Sequence, residues 1–414
     1  MIRLTVSALE PGMVLAAPIP HPQAPDRILL NAGVCLDAHT LRGLQRFPIH
    51  AVWIQHPGFD FLDDRLSNAI PQSRVRIYES VKQSFSSMAG QTTPAFNLAD
   101  YRTVIGNLIC SLVAERNHAV FAERIFCDEG ELFGHCANVA YLSLLIGMRL
   151  RSYIGSQRKY VVGARAEDLT NLGLGAMFHD IGKVGLDKSH QSCHVIDKQA
   201  SDPEYQTHPE RGYRTLNERL EATATAAILH HHQRFDGQGF PVPKKQFRER
   251  EVRPLAGSRI HIFARVVAAA NVLDALISAC QKRKEPMVAA LAAIQQEPYL
   301  GMLDPVILRA VLQCIPPFPL STCVTLSDGR DAVVVDLNES DPCRPRVRVL
   351  RMGGDPSAPA GEEIDLASPG APSIISEGGQ SVAAFVNWQL PSGDSEALAA
   401  GDADCQMPLE PSSA

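Results

Sequence analysis

The sequence predicts a multidomain chain in which an all-α domain is flanked by a small N-terminal α+β module and a small C-terminal β appendage. Three observations predict it. From about Asp63 to Pro316, apolar residues recur at i, i+3, i+4 and i+7, the period of helices with one buried face. Ahead of that stretch, residues 1–57 carry short apolar or alternating runs of strand type. Beyond it, Pro316, Pro317 and Pro319 stop the helical pattern and strand-type runs return.

In chain order, Ile2–Val6, Met13–Pro18, Arg27–Leu30 and Ala51–Ile54 read as strands, and Asp37–Phe47 as a helix with Asp37 near its N-cap. No cluster of catalytic residue types falls in this module, so regulation or domain contact is its expected role. Tyr101–Val113, Phe133–Met148, Leu172–Met177, Ala222–His230, Ile260–Ile277 and Met287–Ile294 follow as helices, interrupted by Pro- and Gly-bearing loops at about 184–207 and 236–258. Thr322–Leu326, Ala332–Leu337 and Arg346–Arg351 are the strands of the appendage, the first two joined across Ser327-Asp328-Gly329. From about Ala367, Ser, Gly, Ala and Pro dominate and aromatics are nearly absent, which predicts a disordered tail apart from a short segment near Phe385–Leu390. The expected boundaries are 1–60 for the N-terminal module, 61–120 for a helical linker, 121–316 for the helical domain, 317–366 for the β appendage and 367–414 for the tail.

Composition narrows the function classes. With 414 residues, 45% hydrophobic and 20% charged, the chain has enough apolar material for more than one packed core. A net charge of −6 argues against polymeric nucleic acid as partner, while a compact anionic substrate stays open because a metal cluster supplies positive charge locally. The ten cysteines are scattered without Cys-x-x-Cys spacing, which indicates neither a zinc ribbon nor a disulfide scaffold. The most apolar stretch, Val139–Met148, is too short to cross a bilayer, so a cytoplasmic protein with reduced thiols and no membrane span is expected.

The strongest chemical feature is Phe178-His179-Asp180-Ile181-Gly182-Lys183, at the end of the helix Leu172–Met177. Adjacent imidazole and carboxylate groups reach one metal if the helix end faces a cavity, and Gly182 leaves room for that approach. Lys183 could neutralise a phosphate oxygen. Upstream, Glu131 and His135 stand four residues apart, a spacing that aims both at one point. Downstream come His208 in His-Pro-Glu-Arg-Gly-Tyr, the run His230-His231-His232, and Asp236-Gly237-Gln238-Gly239-Phe240-Pro241. Each fragment alone has an ordinary reading as surface pair, helix cap, solvated helix end or turn. Their joint occurrence in one helical domain favours a metal site.

His135, His179-Asp180, Lys183, His208, His231-His232 and Asp236-Gly237-x-Gly239-Phe240-Pro241 resemble the HD-GYP family, a branch of the HD phosphohydrolases, over about residues 120–300. The resemblance implies an all-helical HD-type catalytic domain with two or three divalent metal ions, usually iron or manganese, that hydrolyses cyclic di-GMP to the linear dinucleotide or to GMP. Carried over by position, it makes His135, His179, Asp180, His208, His231 and His232 metal ligands, Glu131 a ligand of a third ion, and Lys183 a holder of substrate phosphate. Mixed imidazole and carboxylate donors suit iron or manganese, and clustered cations lower the pKa of a bridging water that attacks phosphorus.

The chain departs from the family in the length of the loop between Pro241 and Ala264, which is longer than usual, and at four further places. Asn271 stands where the final ligand Asp is expected, with Asp274 one turn on; Phe240 replaces a Tyr; Gln233 replaces a Glu; and Cys280-Gln281-Lys282-Arg283 replaces an Arg-Pro-Tyr-Arg segment, leaving Arg283 as its one phosphate-holding position. Two further readings stay open: a non-catalytic nucleotide sensor or scaffold for a diguanylate cyclase-type partner, and a phosphohydrolase of another phosphoester. A homodimer is compatible with all three.

Overall fold

The computed structural model describes residues 1–21, 24–47, 49–65, 69–89, 96–115, 132–158, 161, 163–191, 201–242, 254–350 and 361–386. Its strands are β1 (Ile2–Thr5), β2 (Ile19–His21), β3 (Ala24–Leu30), β4 (Ala51–Ile54), β5 (Cys323–Leu326), β6 (Asp331–Asp336), β7 (Arg346–Val349), β8 (Glu363–Asp365), β9 (Ile374–Glu377) and β10 (Gln380–Ser381). The helices are α1 (Ala38–Leu44), α2 (Ala69–Ala89), α3 (Leu98–Ala114), α4 (Leu132–Arg149), α5 (Arg151–Gln157), α6 (Thr170–Met177), α7 (Lys188–Gln191), α8 (His208–Leu216), α9 (Ala222–His230), α10 (Ile262–Arg283), α11 (Met287–Ala293), α12 (Tyr299–Met302) and α13 (Pro305–Cys314). The expected class, a helical domain with strand-bearing modules on either side, is what the chain adopts.

The helical core is built on α4, which packs against α2, α6 and α10, while α9 closes over α6 and α10. All but a few positions of α4 are buried, because its sequence is apolar on every side. α10 is long and apolar enough to cross a membrane by composition, yet it lies inside this core and carries the buried polar pair Asn271 and Asp274. The segment expected as a linker is instead part of the domain. Ile77, Val81 and Phe85 of α2 and Ile105 and Leu108 of α3 share one hydrophobic cluster with α4, α6 and α10. Their helical periodicity was legible, but which partner the apolar face meets is a tertiary matter.

The two flanking modules also meet. β1 and β4 pair antiparallel in the N-terminal module, and Asp37 caps α1 by accepting from the Thr40 amide at 2.7 Å. Met13–Pro18, expected as a strand, makes only isolated bridges at Val14 and Leu15. In the C-terminal part six strands run in the order β10-β9-β5-β6-β7-β8. Strand β6 alternates: Val333 and Val335 enter the core of the N-terminal module with Ile2, Leu36 and Ile54, while Ala332 and Val334 face the sheet's other core with Val324 and Val347. A module of some sixty residues buries too little surface alone, and here it borrows one face of β6. Arg3 links the two directly, its amide donating to the Ser321 carbonyl at 2.8 Å.

The C-terminal sheet continues past the expected boundary. β9 pairs with β5, β10 pairs with β9, and Ile374 and Val382 are buried, so a disordered tail beginning at 367 is corrected. Those strands are short, and their pairing depends on an edge laid down by β5 rather than on their own alternation. Phe385 packs against the helical core, whereas residues 387–390 of the segment singled out there lie outside the described residues.

The packing of α3 yields a test. Leu108→Ala removes a fully buried side chain and is expected to lower the unfolding free energy by about 2–5 kcal/mol in urea titration. A change within ~0.5 kcal/mol, as at a surface position, would return this helix to the status of a linker.

Candidate metal centre

Five elements bring the sequence-predicted side chains together. His135 projects from α4. α6 ends at Met177 with Phe178 as its C-cap, and His179 and Asp180 follow in a turn that leads into a 3-10 turn over Ile181–Lys183. The pair therefore lies just past the helix rather than on helical residues. His208 opens α8, and His231 and His232 directly follow α9.

Two glycines permit the close approaches this needs. A Cβ on Gly182 would stand 1.9 Å from the His208 carbonyl oxygen and 2.6 Å from the Gly212 nitrogen. Only a bare backbone lets the 181–183 turn lie against α8, which is what carries His208 to Asp180. A Cβ on Gly239 would meet the His232 oxygen and the Arg234 nitrogen at 2.4 Å, so the loop after the histidines folds back on them only with glycine there.

The histidines share one wiring. Nδ1 of His179 bonds the Ala176 carbonyl at 2.8 Å, Nδ1 of His208 the Tyr205 carbonyl at 2.6 Å, and Nδ1 of His231 the Ile228 carbonyl at 2.7 Å. In each case the acceptor is three residues earlier, a carbonyl at a helical turn. Nδ1 of His135 bonds instead to the Asp274 carboxylate at 2.7 Å. A carbonyl or carboxylate only accepts, so all four rings donate from Nδ1 and present a bare Nε2 lone pair inward.

Those lone pairs converge on Asp180. Its Oδ2 lies 3.5 Å from His135 Nε2 and 3.4 Å from His179 Nε2, and its Oδ1 lies 3.3 Å from His208 Nε2 and 3.7 Å from His231 Nε2. The donors fall into two groups that share this carboxylate: His135, His179 and Asp180, and Asp180, His208, His231 and His232, with the ligand atoms of each group within 4.8 Å of one another. Lys183 Nζ stands 2.7 Å from Oδ2 and 5.0 Å from the Tyr205 ring centroid.

The arrangement fits divalent cations. His135 and His179 bring their Nε2 atoms to 3.1 Å, and His208 and His231 to 3.2 Å, and a neutral ring whose Nδ1 already donates has no hydrogen there. Such opposed lone pairs repel unless a cation lies among them. His232 Nε2 is buried with no hydrogen-bond partner, and neither Asp180 oxygen accepts a hydrogen bond of good geometry despite its ion pair with Lys183. Among the described residues no cysteine belongs to either group. Imidazole and carboxylate donors without thiolate suit iron, manganese or zinc ahead of copper(I).

Electrostatics prepare the donors. Burial holds His179 and His232 well below the usual histidine range and His208 at about 4, so all three are neutral and free to ligate. Burial acts to raise Asp180, but the Lys183 ammonium beside it outweighs that and keeps the carboxylate ionised.

The remaining expected residues divide. Phe240 stacks on His232 with centroids 4.5 Å apart and planes 15° apart, so the ring at the position of the expected Tyr fixes the plane of that imidazole. Gln233 donates to the Pro241 carbonyl at 2.6 Å, and Asp236 accepts from the Gln238 amide at 2.9 Å while the Arg234 guanidinium grips it, which holds the Asp236–Pro241 loop. Gly237 takes a positive φ of 79° in that loop. Asn271 is buried and its Oδ1 has no hydrogen-bond partner. Arg283 pairs with Glu285 at 2.7 Å on the surface, twelve residues and so about 18 Å along α10 from Asn271. Glu131 lies outside the described residues. Sequence reasoning missed Tyr205, whose ring lies 4.8 Å from that of His208, and Asn138, whose amide donates to Asp274 at 2.6 Å. The three-residue spacing of Asn138 from His135 was the available signal.

Comparison with known proteins agrees with the resemblance drawn from the motifs. Residues 132–276 match the HD domain. The chain is 30% identical over 185 residues to the cyclic di-GMP phosphodiesterase PA4108 of Pseudomonas aeruginosa, covering 43% of this chain and 41% of that protein. It is 32% identical over 140 residues to the cyclic di-GMP phosphodiesterase response regulator RpfG of Xanthomonas campestris pv. campestris, covering 32% of this chain and 33% of that one. The matches thus span less than half the length of each relative.

The depressed histidines set a pH dependence. Above about pH 6.5, His208 is neutral whether folded or unfolded and contributes nothing; as pH falls from 6.5 toward 4 the unfolded chain takes up a proton that the folded site refuses. The metal-free protein is expected to lose on the order of 3 kcal/mol through this one group across that window. Thermal melts at pH 7.5 and pH 5 check the sign: a melting temperature that is equal or higher at pH 5 contradicts it.

Proposed function

We propose that this chain is a metal-dependent phosphodiesterase that hydrolyses cyclic di-GMP to the linear dinucleotide pGpG, and to GMP when that product is cut again. The observation that carries the proposal is the single buried carboxylate of Asp180 shared between two groups of inward-facing Nε2 atoms. This is the donor set a pair of divalent cations needs, and the relatives that match the HD segment are named for cyclic di-GMP. Iron or manganese is the proposed metal, held by His135, His179, Asp180, His208, His231 and His232, with Asn271 supplying a neutral oxygen and Glu131 a donor for a third ion.

Held by these residues, divalent cations would supply Lewis acidity toward a phosphodiester and lower the pKa of water. The chain's own residues do the positioning. Lys183 holds Asp180 ionised and, at the same Nζ, is placed to neutralise a non-bridging phosphate oxygen. Phe240 and Tyr205 wall the second histidine group with aromatic rings and keep His208 and His232 in register. Such a substrate is consistent with a cytoplasmic protein.

One observation favours a second reading, a nucleotide sensor without turnover. The phosphate-holding end of α10 is thin: Cys280 has its thiol pushed up to about 11 by burial and is uncharged, and Arg283 is engaged by Glu285. Incubation of the manganese- or iron-loaded protein with cyclic di-GMP, followed by chromatography, separates the readings. The proposal expects slow turnover with a raised KM, since phosphate contacts remote from the reacting centre contribute mainly uniform binding. Asp180→Ala should abolish product while the fold persists. Tight binding without product would establish the sensor instead, and neither binding nor product would point to another phosphoester.

Asn271 gives an independent check. If Asn271 is a ligand, a carboxylate in place of its unpartnered amide oxygen adds charge to the centre, so Asn271→Asp is expected to raise metal occupancy in elemental analysis, by about tenfold in affinity on the scale of ligand-shell changes. Unchanged occupancy would mean that position 271 does not ligate.

A further inference from the structure

His135 is wired unlike the other donors. His179, His208 and His231 fasten Nδ1 to carbonyls three residues back in their own segments, whereas His135 relies on a carboxylate 139 residues away. Asp274 is fully buried, so its charge needs a cation or several donors. Its Oδ1 accepts from Asn138 Nδ2 at 2.6 Å, and Asn138 Oδ1 in turn accepts from Arg74 Nη2 at 2.5 Å. Arg74 belongs to α2, is itself 4% exposed, and lies 4.2 Å from the centroid of the Tyr141 ring.

The polarity of this chain of bonds is forced from both ends. A guanidinium only donates, which obliges Asn138 to turn its oxygen toward Arg74 and its NH2 toward Asp274. A carboxylate only accepts, which obliges His135 to donate from Nδ1 and leave Nε2 bare toward Asp180. We propose that Arg74 is a positioning residue of the metal centre: through Asn138 and Asp274 it sets the ring of His135, and so makes the His135–His179 half of the site depend on α2, outside the segment that matches the HD domain. The His208–His231–His232 half, anchored to local carbonyls, does not depend on it. A displacement of α2, which follows the N-terminal module in the chain, thereby changes one half-site and spares the other. The inference rests on the metal-centre reading above for its consequence, but its geometry is independent of catalysis.

The test uses the full chain with Arg74→Met, which keeps an apolar stem and removes the guanidinium, and Arg74→Lys, which keeps the charge with a single nitrogen should the first variant fold poorly. In metal-free protein, nitrogen NMR of the His135 ring is expected to show protonation at Nδ1 in the parent chain and a mixture of tautomers in Arg74→Met. Calorimetric titration with Mn²⁺ is expected to show one site weakened roughly tenfold or more and the other within about twofold, with Arg74→Lys in between. An unchanged His135 tautomer and unchanged Mn²⁺ affinities in a folded variant overturn the proposal. Equal weakening of both sites overturns it too, since that is general loosening of the core. If the parent chain binds no Mn²⁺ while the ring result holds, the metal reading fails and the positioning role of Arg74 stands.

Discussion

The interaction on which the rest of this structure depends is the contact of the buried Asp180 carboxylate with the Nε2 atoms of four imidazoles. Without cations it is an unfavourable assembly, because lone pairs face lone pairs in a medium of low dielectric. The fold holds it regardless. Each ring is tied from behind by its Nδ1, and Lys183 compensates the carboxylate, so the assembly is rigid before any ion arrives. That is preorganisation in the sense that matters for affinity: the ordering cost is met by the hydrophobic core rather than by the ligand.

The core explains how such a polar centre is tolerated. α4, α6, α9 and α10 are apolar nearly all round, and the donors sit where these helices end or where one polar position interrupts an apolar helix. A carbonyl oxygen can accept a second hydrogen bond, and three of the histidines bond a helical-turn carbonyl three residues back while pointing their other nitrogen inward. Gly182 and Gly239 are the places where two backbones must approach too closely for any side chain.

The flanking modules are joined by the same economy of burial. β6 offers its two faces to two cores, and the N-terminal module closes on one of them. α2 then leads from that module into the helical domain, where Arg74 reaches the shell behind His135. One series of hydrogen bonds, from Arg74 through Asn138 and Asp274, thus joins the helix that follows the N-terminal module to His135.

The sequence by itself determined the class of the fold, most helix positions, and the residues of the centre, because each of these leaves a local trace: a period of 3.6, a helix cap such as Asp37, or a cluster of metal-binding residue types at recurrent spacing. Ala222–His230 and Ala51–Ile54 were legible to the residue for that reason. Only the tertiary structure decided that α2 and α3 belong to the core, that β9 and β10 join the sheet, that Asp274 supports His135 rather than an ion, and that Arg283 turns to Glu285. None of those outcomes is written in a local pattern. They follow from which distant surface each segment meets, and an apolar face or a buried carboxylate specifies that it needs a partner without specifying which one.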